Sequence, residues 1–122
     1  MLGVFLISLS ACCNEAYLVT QQDLFLRDVP QEPRRYAMVT ASGEEVWSCA
    51  SVDGLPESDC VNVVADGWDW IVTYLHSNFD LELQVWEGEE LLFYENLQWE
   101  ADHRPLRCDL PYYVAVVGVS GI

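Results

Sequence analysis

The segment Asp80-Leu81-Glu82-Leu83-Gln84-Val85 alternates polar and apolar residues without a break. A period of two belongs to a half-buried strand, whose successive side chains point to opposite faces. A turn follows, either two residues (Gly88-Glu89) or four (87–90), and Leu91 to Leu97 reads as the return strand. Both turn lengths imply one register. On the buried side Val85 opposes Leu92, Leu83 opposes Tyr94 and Leu81 opposes Asn96. On the other side Trp86 opposes Leu91, Gln84 opposes Phe93 and Glu82 opposes Glu95. Cross-strand apolar pairs contribute about 0.2–1 kcal/mol each, and two facing carboxylates cost a similar amount.

The rest of the chain keeps this rhythm. Leu24 and Leu26 alternate with polar neighbours in Gln21 to Val29, the pattern expected of an edge strand, before Pro30 and Pro33 break the chain around Arg34-Arg35. Tyr36 to Thr40, the turn Ala41-Ser42-Gly43-Glu44 and Glu45 to Val52 read as a hairpin. A loop over 51–59, a short β-branched run from Val61 to Val64 and the turn pair Asp66-Gly67 lead into Trp68 to His76. That stretch is apolar on both faces, as a central strand would be. Gln98 to Pro111 is irregular, and Tyr112 to Val119 is an almost wholly apolar closing strand. With 122 residues, 52% of them hydrophobic, the chain can bury a two-layer core. The expectation is an all-β fold, a small antiparallel sandwich of about seven to eight strands. No run is long and apolar enough to span a bilayer as a helix.

Leu2, Val4, Phe5, Leu6, Ile7 and Leu9 form an apolar run that ends in Leu9-Ser10-Ala11-Cys12. A Leu and two small residues before a Cys resemble the lipobox of bacterial lipoprotein signals. No basic residue precedes Arg27, so either the free α-amino group supplies the only early positive charge or the true start lies upstream. The resemblance implies a signal peptide over 1–11, a lipidated Cys12 with a tether over 12–20, and one extracytoplasmic domain over 21–122. The competing reading of the apolar run is a buried first strand, Gly3 to Leu9, in a cytosolic protein. The strand, Gly turn and strand around Val39 to Val46 are also loosely similar to transthyretin-like and carboxypeptidase-regulatory-like sandwiches, a likeness of shape only.

There are five cysteines, Cys12, Cys13, Cys49, Cys60 and Cys108. With Cys12 carrying lipid, four remain, and an oxidising compartment permits them to pair. The preferred pairing is Cys49–Cys60, which closes a loop rich in turn residues, with Cys13–Cys108. Zinc is disfavoured, because no Cys-x-x-Cys occurs and neither His76 nor His103 stands at ligand spacing from a Cys.

The net charge is −15, with 20 acidic residues against five arginines and no lysine. That argues against nucleic-acid phosphate and against anionic lipid headgroups as partners, so membrane attachment is expected to come from a covalent lipid. Solubility or a salty habitat explains the acidity most simply. Asp53, Glu57 and Asp59 in the proposed disulfide loop, and Asp66 with Asp69, are candidate calcium ligands without EF-hand spacing. Among five tryptophans, Trp86, Trp68 and Trp99 are candidates for a glycan platform, Trp86 foremost because its hairpin face is polar. Core packing is the plainer use of such residues. Asp102-His103-Arg104 places a His between a carboxylate and a cation, yet no nucleophile motif, metal box or phosphate loop accompanies it. The expected function is a non-enzymatic protein-interaction or structural module of the cell envelope, without cofactor. The alternative is a small-ligand binder, taking glycan on exposed Trp or calcium on the acidic loops.

Overall fold

A computed structural model of the chain describes residues 20–65, 69–74, 78–101 and 112–122. Among the described residues there is no helix, and ten strands make two sheets. In chain order they are β1 (Gln21–Arg27), β2 (Arg34–Thr40), β3 (Glu45–Val52), β4 (Leu55–Pro56), β5 (Val63–Ala65), β6 (Asp69–Tyr74), β7 (Leu81–Glu87), β8 (Glu90–Asn96), β9 (Glu100–Ala101) and β10 (Tyr112–Gly118). The first sheet has the order β5-β6-β1-β10-β9 and the second β4-β3-β2-β7-β8. All neighbours are antiparallel except β1 and β10, which run parallel. The architecture is the expected disulfide-stapled β-sandwich. The strand number exceeds seven to eight because β4 and β9 are two-residue ladders, too short to show any period.

The inner faces meet in one core. Leu24, Leu26, Trp70, Val72, Ala115 and Val117 come from the first sheet, and Tyr36, Met38, Cys49, Leu81, Leu83 and Val85 from the second. Burying a large apolar side chain stabilises by about 1.5–3 kcal/mol. The rings of Tyr36 and Trp70 meet edge to face across the layers, 5.3 Å between centroids and 89° between planes. The Cys49–Cys60 disulfide ties β3 to the segment that leads into the first sheet. Cys13 and Cys108 lie outside the described residues.

Two expectations are corrected. First, Gln21–Arg27 is not an edge strand but lies inside the first sheet, between β6 and β10. Distant partners rather than water meet its polar groups in part: Gln22 Nε2 donates to the Asn78 carbonyl at 2.8 Å while its Oε1 is buried without a partner, and Asp23 accepts from the Tyr112 hydroxyl at 2.6 Å. The strand stops at Arg27 because Asp28 adopts a φ of 60°, and its N–H bonds to Asp69 at 2.9 Å. Asp is among the few side chains that tolerate this conformation.

Second, the β7–β8 register holds only next to the turn. Glu87 pairs with Glu90 and Trp86 with Leu91, so the turn has two residues, with Gly88 at a φ of 59°. That φ in the first central residue is the condition for a tight hairpin turn that Gly meets without strain. Val85 then pairs with Phe93, which leaves Leu92 as the extra residue of a β-bulge. Every later pair shifts by one: Gln84 with Tyr94, Leu83 with Glu95 and Glu82 with Asn96. Phe93 therefore packs against the core and Tyr94 stands outward, 64% exposed. The expected clash of Glu82 with Glu95 does not occur.

Burial pushes the Tyr36 phenol up to about 12, and the nearby Ser51 hydroxyl and Arg34 charge temper the shift. Its hydroxyl is buried, with Ser51 near it but outside good hydrogen-bonding geometry. The folded state thus holds this proton more tightly than the unfolded chain, whose phenol titrates near 10. The stabilisation is complete below pH 10 and is lost as pH rises through 12. In Tyr36→Phe, unfolding by urea at pH 7 is expected to cost the same or up to about 1 kcal/mol more, since an unpaired buried hydroxyl is removed. The decline of stability between pH 10 and 12 should be shallower than in the parent. A steeper decline, or a loss above 1 kcal/mol at pH 7, would show that the hydroxyl has a partner.

Candidate binding face

The outer face of the second sheet gathers the polar and aromatic side chains that the alternation of β7 pushes outward. Leu81, Leu83 and Val85 are buried, so Glu82, Gln84 and Trp86 project to the other side. Register supplies their neighbours: Arg35, Ala37 and Val39 on β2, and Asn96 and Tyr94 on β8. Ala37 and Val39 are small and buried, which lets the longer side chains of β7 lie over them.

These side chains are ordered by their own hydrogen bonds. The Trp86 indole N–H donates to Gln84 Oε1 at 3.1 Å, and Gln84 Nε2 donates to Glu82 Oε1 at 2.9 Å. Those two bonds set the orientation of the Gln84 amide. The Arg35 guanidinium lies 5.5 Å from the centre of the Trp86 ring and also pairs with Glu45 at 2.8 Å. At one end of the row is a cleft of about 290 Å³ between the β2–β3 turn and the start of β7, lined by Thr40, Gly43, Asp80, Glu82, Gln84 and Asn96 among others. At the Trp86 end is a second cleft of about 230 Å³ that includes Arg34, Arg35, Glu57 and Gly88. Among the described residues each arginine is already ion-paired: Arg27 with Asp69, Arg34 with Glu87 and Arg35 with Glu45. The face therefore offers carboxylates, amides, a hydroxyl and aromatic rings, but no free cation.

The other sequence candidates are placed differently. Trp99 packs against the core with its indole N–H buried and unpaired. Trp68 and the trio Asp102-His103-Arg104 lie outside the described residues, as do Cys12 and Asp66. Asp69 is engaged with Arg27 and the Asp28 backbone. Asp53 sits in the tight β3–β4 turn with a φ of 56°, and its N–H bonds to the Gln31 carbonyl. Among the described residues no three His, Cys, Asp or Glu side chains come together as a metal-ligating group, Asp53, Glu57 and Asp59 included.

The outer face of the first sheet differs in character. Val63, Ile71, Phe25 and Val116 form an apolar row straight across four strands, bordered by the Arg27–Asp69 pair.

Sequence reasoning missed Tyr94, Asn96 and the cleft. The unbulged register places Tyr94 on the buried side, and the bulge displaces it outward. The cleft joins Thr40 to Asp80 and Asn96, which only the pairing of β2 with β7 and β7 with β8 brings together. No protein-family model matches this chain, and neither a curated protein nor a solved structure matches it.

Proposed function

We propose that this chain is a non-enzymatic binding module of the bacterial cell envelope, held at a membrane by a lipid on Cys12. Leu9-Ser10-Ala11-Cys12 supports the anchor, and the Cys49–Cys60 disulfide fits an oxidising compartment outside the cytoplasm, at the outer membrane or cell surface. The strong negative charge fits attachment by a lipid and not by headgroup contacts. The observation that carries the binding role is the outer face of the second sheet. Its Trp86–Gln84–Glu82 chain of hydrogen bonds presents fixed polar groups beside an exposed Tyr94. Its partner is a component of the envelope, protein or glycan, and not nucleic acid.

Expression in a bacterium with labelled palmitate tests the anchor. The protein should carry label, fractionate with membranes and show a mature N-terminus at Cys12 by intact mass. Cys12→Ala should lose label and membrane association together. An unmodified Met1 in the membrane-free fraction would contradict the proposal.

A further inference from the structure

We infer that the outer face of the second sheet binds an extended, uncharged glycan laid along β7, from the cleft at Asp80 to the ring of Trp86. The inference rests on reading the chain as a binding module and names the ligand of that face. Sugars present two kinds of surface, apolar C–H patches and closely spaced hydroxyls. A site for them needs an aromatic ring to stack on and planar polar groups to read the hydroxyls. Tyr94 supplies an exposed ring directly across from Gln84, and Trp86, half-buried with Arg35 over its ring, supplies a second two positions along β7. Glu82, Gln84, Asn96 and Thr40 supply carboxylate, amides and hydroxyl at the cleft.

The arrangement is ordered before any ligand arrives. Gln84 is held between Trp86 and Glu82 by bonds of 3.1 and 2.9 Å, so little side-chain freedom is lost on binding. The row is also long. From Asp80 to Trp86 is six residue steps, about 20 Å, which suits a short oligosaccharide better than one ring. Charge selects further. Each described arginine is already paired elsewhere, while Asp80 and Glu82 face the cleft without an ion-pair partner among the described residues, so uronic or phosphorylated glycans would meet like charge there. A protein partner could also use Trp86, Tyr94 and Arg35, but hot spots of that kind cluster in a desolvated centre, and here the centre of the face is the hydrogen-bonded row of Glu82 and Gln84 over Ala37 and Val39.

The hydrogen bond from the Trp86 indole makes the face self-reporting. The test is titration of the full chain, in detergent if lipidated, with neutral tetrasaccharides of glucose, mannose and N-acetylglucosamine and with a tetragalacturonate. Trp emission and calorimetry give the readings. At least one neutral tetrasaccharide should bind, and its monosaccharide and the tetragalacturonate should bind at least about tenfold more weakly. Tyr94→Ala and Glu82→Gln, both at outward positions, should each weaken binding by about tenfold with an unchanged melting temperature. No binding of any neutral tetrasaccharide at millimolar concentration would overturn the inference. So would equal binding of the tetragalacturonate, or affinity untouched by both substitutions. Recovery from envelopes of a protein that Tyr94→Ala releases, with no glycan bound, would overturn the glycan and leave the binding module standing. Shortening of a bound glycan during the titration would overturn the non-enzymatic reading itself.

Discussion

Trp70→Ala is expected to cost about 3–5 kcal/mol from the lost side chain, with about 1 kcal/mol more from the backbone acceptor it abandons. Trp70 is 0% exposed, and its indole N–H donates to the Gly54 carbonyl at 3.0 Å. It stands on β6 in the first sheet, opposite Leu26, while Gly54 closes the β3–β4 turn of the second. One side chain thus joins the layers twice, by the edge-to-face contact with Tyr36 and by the hydrogen bond. Against a typical domain stability of about 5–15 kcal/mol, the alanine variant would lose between about a quarter and all of its stability. Trp70→Phe keeps a ring and loses the bond, so a loss of about 1–3 kcal/mol with retained near-ultraviolet dichroism is expected. Urea unfolding measures both. A loss below 1 kcal/mol for the alanine variant would mean that the sheets do not pack through Trp70.

The second large effect belongs to the Cys49–Cys60 bond. It closes a loop with a sequence separation of 11, for which loop entropy gives about 2–3 kcal/mol of stabilisation. Cys60→Ala is the cleaner substitution, because Cys49 is 3% exposed and belongs to the core. The melting temperature should fall by about 10 °C or more, since 1 kcal/mol shifts a domain of this size by about 4–8 °C. The Trp47 indole bond to the Cys60 carbonyl, 2.8 Å long, survives the change and keeps the loop near β3. Reductant should lower the parent by at least the same amount. A further drop when reductant is added to Cys60→Ala would show a second bond, for which Cys13–Cys108 is the expected pair.

The two sheets were legible in the sequence wherever alternation runs long and turn residues punctuate it. Glu45–Val52 has the bounds read from its residues, and β7 and β8 differ from the reading by a residue or two at an end. Gly88 announced its turn. The β8 bulge left no trace, because Leu91-Leu92-Phe93 is apolar throughout and gives no alternation from which to see which residue is extra. That single residue moved Tyr94 from the presumed core to the surface and changed the candidate site with it. The interior place of β1 was illegible for another reason. Its polar residues are matched by Asn78 and by Tyr112, at sequence separations of 56 and 89, and a local pattern cannot distinguish a distant partner from solvent. Trp86 stands on the polar face of β7, as the alternation of Asp80 to Val85 implies, and is half-buried there. Its neighbours came only from strand pairing.

Chemical-shift mapping of the full chain during titration with the tetrasaccharide that binds locates the ligand on the protein. The Trp86 indole N–H and the amides of Gln84, Tyr94 and Asn96 should move together while the buried Trp70 indole stays in place. Movement confined to the apolar row of Phe25, Ile71, Val63 and Val116 on the first sheet would contradict binding along β7.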